Sequence, residues 1–282
     1  MGQVEDWISG HKIPIGAWIA TLIDGLKNSS FNFFDRLSDI IGFLTDGLTS
    51  ILEAVPPILL LLLIVAGVWL LHRSWKLALG VGLALLFIMN QGYWEATMET
   101  LSLVIFSAVL CMVIGVPLGI LAAHRPWLYR GMRPVLDMMQ TLPTFVYLIP
   151  TLVLFGLGTV PGLISTIIFA LPAPIRLTHL GVVSVPKPLI EAGEAFGATP
   201  LQLLWKVELP YARPSIMAGL TQCIMLSLSM VVIAALVGAG GLGVPVVRAL
   251  NTVRIDMGFE SGLAIVVLAI VLDRVCRVAG EA

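Results

Sequence analysis

Charge is scarce in this chain. Asp, Glu, Lys and Arg make up 12% of its 282 residues, against roughly 25% in a soluble domain. With 58% hydrophobic residues and a mean hydropathy of +1.00, too little polar material is present to coat a soluble fold. The composition places the chain among integral membrane proteins, with the lipid bilayer as its solvent. A net charge of −1 gives no support to a nucleic-acid partner. Cysteine is equally sparse. Cys111, Cys223 and Cys276 lie in or beside apolar runs with no pair at ligand spacing, which argues against a disulfide framework or a metal site. The histidines His11, His72, His124 and His179 are scattered, with no His-x-x-x-His or Glu-x-x-His spacing, so no metal centre is expected. His72 and His124 each precede an Arg at a helix end, where interfacial anchoring accounts for them. There is no Ser/His/Asp set and no Gly-x-Ser-x-Gly elbow, so the expectation is a protein without catalytic residues. Residues 1–30 do not show a basic segment followed by an apolar one, and no cleavable signal peptide is expected.

What the chain has instead is long charge-free runs. Residues 54–71, 77–94 and 100–123 each approach the ~20 residues that cross a bilayer core. The run 138–175 is long enough for two spans, with a turn at Gly156-Leu157-Gly158-Thr159-Val160-Pro161-Gly162. The run 214–247 exceeds one helix and breaks at Gly238-Ala239-Gly240-Gly241-Leu242-Gly243, giving one span and a re-entrant or extracytoplasmic segment. The last run, 261–272, becomes a span if it begins near Met257 and keeps Glu260 at the interface. The fold class is therefore all-α, a polytopic transmembrane helical bundle of about seven spans. Residues 1–53 form an N-terminal extension and residues 54–282 the transmembrane domain. In the extension, Phe34, Leu37, Ile40, Ile41, Leu44, Leu48 and Ile51 recur at helical spacing with Asp35, Arg36, Asp39 and Asp46 between them. That pattern predicts an amphipathic helix in the membrane interface; the first 30 residues are expected to be loosely ordered.

Basic residues set the orientation. Arg73 and Lys76, then Arg125, Arg130 and Arg133, then Arg176, Lys187, Lys206 and Arg213 fall in alternate loops, whereas residues 91–99 and 157–162 carry none. Arg248 and Arg254 dissent. The majority puts the N-terminus outside the cytoplasm, and the loop at 187–210 and the C-terminus, with Arg274 and Arg277, inside.

Three features invite a chemical reading. The run Gly238 to Gly243 satisfies G-x-G-x-x-G, but a dinucleotide site needs a strand before it, and a tight turn allowing close backbone approach fits better. Ionisable groups inside the spans are few, which argues against a proton relay and hence against an ion-coupled secondary transporter of small solutes. Pro143 and Pro150, with Phe145 and Tyr147, interrupt the fourth span. Such breaks are tolerated where backbone lines a cavity or packs on protein. These residues are candidates for a pathway that accommodates a cation, with aromatic packing between helices as the plain alternative.

The remaining stretch, 187–210, is too charged to span. Leu189, Ala192 and Phe196 share adjacent helical turns beside Glu191 and Glu194; Gly197 breaks the helix, and Thr199-Pro200 starts another that Leu201, Leu204 and Trp205 continue until Pro210 stops it. A cytoplasmic helix–turn–helix is expected. Here a specific pattern emerges. Glu191-Ala192-Gly193, three residues, Gly197, nine residues, then Val207-Glu208-Leu209-Pro210 resembles the cytoplasmic signature of binding-protein-dependent ABC importer permeases. Gly193 stands for the usual Ala and Val207 for Ile. Met139-Gln140-Thr141-Leu142-Pro143-Thr144-Phe145-Val146-Tyr147-Leu148-Ile149-Pro150, Ile168-Phe169-Ala170-Leu171-Pro172 and the glycine run after Met230-Val231-Val232-Ile233-Ala234 look like the glycine betaine/proline betaine/choline subfamily. The resemblance covers roughly residues 95–245. It implies a bacterial inner-membrane permease subunit for quaternary ammonium solutes, with Glu191, Ala192, Gly193, Glu194, Gly197, Val207, Leu209 and Pro210 coupling it to a separate ATPase subunit. It further implies that ATP and Mg²⁺ are bound by that subunit, since no G-x-x-x-x-G-K-[ST] loop occurs here. A substrate-binding protein outside the cytoplasm and a second permease copy complete the expected partners.

Overall fold

The computed structural model describes residues 14–29 and 31–276. Residues 1–13 of the extension and Arg277 lie outside the described residues. Among the described residues the chain is helical with no strand: α1 (Ile15–Ser29), α2 (Phe31–Ala54), α3 (Pro57–His72), α4 (Trp75–Asn90), α5 (Trp94–His124), α6 (Pro126–Thr141), α7 (Thr144–Phe155), α8 (Thr159–Ala170), α9 (Pro172–Val183), α10 (Lys187–Ala195), α11 (Pro200–Leu203), α12 (Leu209–Ala235), α13 (Gly243–Thr252) and α14 (Ile255–Cys276). A π-helical turn, Leu204–Glu208, joins α11 to α12.

The bundle is built around α5, α9 and α12, which share its most extensive contacts. Lipid gives no hydrophobic drive between helices, so close packing and polar contacts must hold them. Gly119 of α5 shows how close the approach is. A Cβ there would stand 2.7 Å from the Ile175 carbonyl oxygen of α9. Polar contacts are internal: Ser107 of α5 donates to Ser227 of α12 at 3.0 Å, and Ser102 donates to the Thr45 carbonyl of α2 at 3.1 Å. The α3–α4 hairpin packs beside α14 through α4. Apolar side chains such as Leu70, Leu83, Val113 and Val266 face outward, as a lipid-facing surface requires.

By length and composition four helical runs can cross a membrane: Trp94–His124, Thr159–Val183, Pro200–Ala235 and Ile255–Cys276. Counting each of two sharply bent pairs as one span gives six. The expected first span follows α2 through a 101° bend, because Pro56 sits extended and Pro57 opens α3. At 16 residues each, α3 and α4 measure about 24 Å. The expected fourth span is not straight. It divides into α6 and α7 at 97°, because Pro143 has no N–H to continue the helix and drives Leu142 into the extended region (φ −62°, ψ 136°).

The N-terminal region also departs from the expectation of loose order. Residues 15–29 form α1, whose Ile15, Trp18, Ile19, Leu22 and Leu26 recur at i, i+3, i+4 and i+7 and are exposed. The amphipathic pattern of the next segment is a 24-residue helix. It lies against α5, α7 and α8, with Ile41 buried and Phe34 edge-on to Phe155 at 5.4 Å. A second apolar line, Phe33, Ile40, Phe43 and Ile51, remains uncovered.

Candidate functional site

Residues 187–210 form a helical hairpin at the end of the bundle where α5 ends and α12 begins. Pro186 and Pro188 start α10. Gly197 ends it: the Ala198 N–H bonds the Gly193 carbonyl at 3.1 Å and the Gly197 N–H bonds the Glu194 carbonyl at 2.8 Å. That pair of bonds is a Schellman stop and requires a left-handed residue, which Gly197 supplies at φ +78°. Thr199 then caps the next helix, as the sequence suggested. Its hydroxyl accepts from the Gln202 N–H at 3.4 Å while Gln202 Oε1 accepts from the Thr199 N–H at 2.9 Å, a reciprocal capping box.

The expected stop at Pro210 does not occur. One 36-residue helical run extends from Pro200 to Ala235. The π-turn resolves the conflict. The Leu209 N–H reaches back five residues to the Leu204 carbonyl, and this wider turn relieves the crowding that Pro210 would otherwise cause.

The hairpin closes on small residues. A Cβ on Gly193 would meet Leu203 Cδ2 at 2.5 Å and Val207 Cγ2 at 3.8 Å. Gly193, Leu203 and Val207 therefore form its inner seam, with Leu203 buried. Leu209 is half-buried behind it. Glu191, Ala192, Glu194 and Pro210 are on the outer face and exposed. With them stand Leu189, Phe196, Leu201 and Trp205, Phe196 being 93% exposed. Of the apolar positions read from helical spacing, Leu189, Phe196, Leu201 and Trp205 thus make a protruding apolar surface and Leu204 is half-buried, while Leu203, which that spacing did not single out, does the packing.

One contact of this region escaped sequence reasoning. Glu208 is 8% exposed, and its carboxylate oxygens lie 3.0 and 3.2 Å from His124 Nε2. The two are 84 positions apart, and no spacing rule reaches that far.

The residues considered for a pathway are gathered at the α6–α7 corner. Tyr147 is buried, and its hydroxyl donates to the Met139 carbonyl at 2.8 Å, with Met138 at 3.3 Å. Phe145 and Pro143 are exposed and Pro150 lies inside α7. Thr151 and Ser165 share a 2.8 Å hydrogen bond that fixes α7 to α8. On the other arm of the corner, Asp137 accepts from Arg176 of α9 at 2.7 Å, and Tyr129 stacks on His179 at 3.6 Å.

At the opposite end of the bundle the glycine-rich turn packs on the start of α5. The Leu242 N–H donates to Thr100 Oγ1 at 2.8 Å. Gly241 has φ +97°, and a Cβ on Gly240 would stand 2.6 Å from Glu99 Oε2. With no strand before it among the described residues, this run is a backbone-packing turn. Nearby, burial and the Glu260 and Asp256 carboxylates push the Tyr93 phenol above its ordinary pKa.

Comparison with known proteins gives this arrangement a context. Residues 115–278 match the family described as binding-protein-dependent transport system inner membrane component. The glycine betaine/carnitine transport permease protein GbuB of Listeria monocytogenes is 45% identical over 268 residues, covering 94% of this chain and 95% of that protein. The glycine betaine transport system permease protein OpuAB of Bacillus subtilis is 43% identical over 266 residues, covering 94% of each. Among solved structures, an inward-facing conformation of the MetNI methionine ABC transporter superposes with a TM-score of 0.57 at 27% identity, covering 64% of this chain and 92% of that one.

Proposed function

The chain belongs to the binding-protein-dependent transport system inner membrane component family, and from that premise we propose that it carries quaternary ammonium solutes of the glycine betaine type through an ATP-driven importer. It is an integral inner-membrane permease subunit and not an enzyme. The proposed solute class rests on the likeness to glycine betaine permeases over nearly the whole chain; choline belongs to the same class. An ion-coupled carrier finds no support in a chain of this family.

The single observation that carries the coupling role is the protruding hairpin. Its inner seam of Gly193, Leu203 and Val207 makes it stiff, and its outer face offers Glu191, Ala192, Glu194 and Phe196 to a partner. An apolar Phe196 and Trp205 surface flanked by carboxylates suits a groove with basic residues at its rim, where charge-assisted hydrogen bonds are the strong ones. The partner is the ATPase subunit, which holds ATP and Mg²⁺. The binding protein delivers solute at the opposite end, and two copies of this chain enclose the pathway. Basic residues at the hairpin end support a cytoplasmic position for that end, with the N-terminus outside.

The test is uptake by proteoliposomes containing this chain, its ATPase and its binding protein. Glycine betaine should accumulate with internal ATP and not with an imposed proton or sodium gradient alone. Glu191→Arg or Gly197→Asp should abolish ATP-dependent uptake while the bundle still folds. Normal uptake in either variant removes the coupling role, and gradient-driven uptake by this chain alone removes the importer.

A further inference from the structure

Where the hairpin meets the bundle, a carboxylate has left solvent. Glu208 closes the π-turn and is the one buried charged side chain among the described residues. A carboxylate taken out of water is costly unless paired and hydrogen-bonded, and here the partner is His124, the last residue of α5. His124 Nδ1 lies 2.9 Å from the Ile120 carbonyl and Nε2 faces Glu208. Both ring nitrogens thus meet acceptors. Two hydrogen bonds require a proton on each nitrogen or a proton on the carboxylate, and in the first case the bond to Glu208 is charge-assisted. The wider π-turn helps aim Glu208 at α5, since one extra residue per turn rotates the side chains relative to α-helical register.

The far end of α5 bears the glycine-rich turn. Thr100 accepts from the Leu242 N–H at 2.8 Å, and Glu99 fills the space beside Gly240. At 31 residues, α5 measures about 46 Å, enough to join the two ends of the bundle. We propose that the His124–Glu208 pair is the strut that makes the coupling hairpin and α5 one rigid body, so that displacing the hairpin also moves the glycine-rich turn at the other end. Both are positioning residues, acting on the hairpin and α5 and touching neither solute nor nucleotide. The proposal rests on the coupling reading of residues 187–210.

The experiment measures uptake and ATP hydrolysis together in the reconstituted complex. His124→Ala and Glu208→Ala should each lower solute transported per ATP hydrolysed by about five- to tenfold, within the usual range for a coupling free energy. The double variant should be no worse than either single one, because the residues act as a unit. His124→Lys, which supplies a donor to the Glu208 carboxylate, should recover most of the loss. Parallel losses of uptake and hydrolysis at an unchanged ratio, or additive losses, overturn the strut. A second measurement holds if the alanine variants do not assemble. Cysteines at positions 124 and 208, in a chain with Cys111, Cys223 and Cys276 replaced, are joined by a short bis-maleimide. Before crosslinking, solute transported per ATP should be low, as in the alanine variants, and the crosslink, which rejoins the hairpin to α5, should restore it; no recovery overturns the strut. Glu191→Arg serves as the control. If it abolishes uptake while the strut variants behave as wild type, the strut fails and the coupling reading stands. If it transports normally, the coupling reading itself fails.

Discussion

Gly197 and Gly193 sit four residues apart in the hairpin at 187–210 but are needed for different reasons. Gly197 has open space where a Cβ would go, and its φ is +78°. Its constraint is backbone conformation alone, which costs an L-residue about 1–2 kcal/mol. Gly193 is in the opposite position, helical and unstrained, with Leu203 Cδ2 occupying the place of a side chain. Because that atom is the end of a flexible side chain, Gly193→Ala is expected to be tolerated by a Leu203 rotamer change, whereas Gly193→Val should wedge the hairpin open. Gly197→Ala should leave the outer contacts intact but loosen the Schellman stop. Amide hydrogen exchange checks this directly: faster exchange in the variant confined to residues near 194–199 is the expected result, and unchanged protection there contradicts it. Sequence spacing identified both glycines as signature positions but could not separate these roles, because the contact with Leu203 depends on how the two helices close.

At the scale of elements, proline has a different consequence in each setting. Pro143 breaks a span into α6 and α7 at 97°, whereas Pro210 and Pro214 are carried inside one helical run. Local rules treat all of them as breakers. The difference lies in what happens to the freed carbonyls. Around Pro210 the π-turn re-forms the ladder through Leu209 and Leu204. At the α6–α7 corner the Met139 carbonyl, one of the last of its helix, is met by the Tyr147 hydroxyl at 2.8 Å. The interruption at Pro143 was legible in the sequence, but the tyrosine that meets the freed carbonyl was not. Tyr147→Phe removes that donor and leaves the part-buried Met139 carbonyl unsatisfied, at a cost of about 1 kcal/mol. The expected outcome is a lower melting temperature in detergent with solute uptake largely kept at moderate temperature. A loss of uptake without any loss of stability would instead assign Tyr147 to the pathway.

For the molecule as a whole, composition, charge-free runs and signature spacing make the class, the apolar segments and the helix–turn–helix at 187–210 legible. The burial of Glu208 against His124 and the fit of the glycine-rich turn on Thr100 are long-range contacts that one-dimensional periodicity does not encode. The orientation depends on both kinds of information. Arg73 and Lys76, the 125–133 cluster and the 187–213 cluster fall in alternate connections of the chain, and the His124–Glu208 contact joins the edges of the second and third. The dissenting Arg254 is paired with Asp256, Nη2 and Oδ2 being 2.6 Å apart; since Asp and Glu count little in the positive-inside bias, Arg254 and Arg248 are outweighed by the number of basic residues in the other loops. Single cysteines in a Cys-free chain test the result. In right-side-out vesicles, a membrane-impermeant maleimide should modify Glu95→Cys, which is exposed at the start of α5, and should spare Lys187→Cys, exposed at the start of α10. Permeabilising the vesicles should make the second site react. Modification of Lys187→Cys alone in intact vesicles would invert the molecule, place the hairpin away from ATP, and with it remove the physical basis of the coupling proposal.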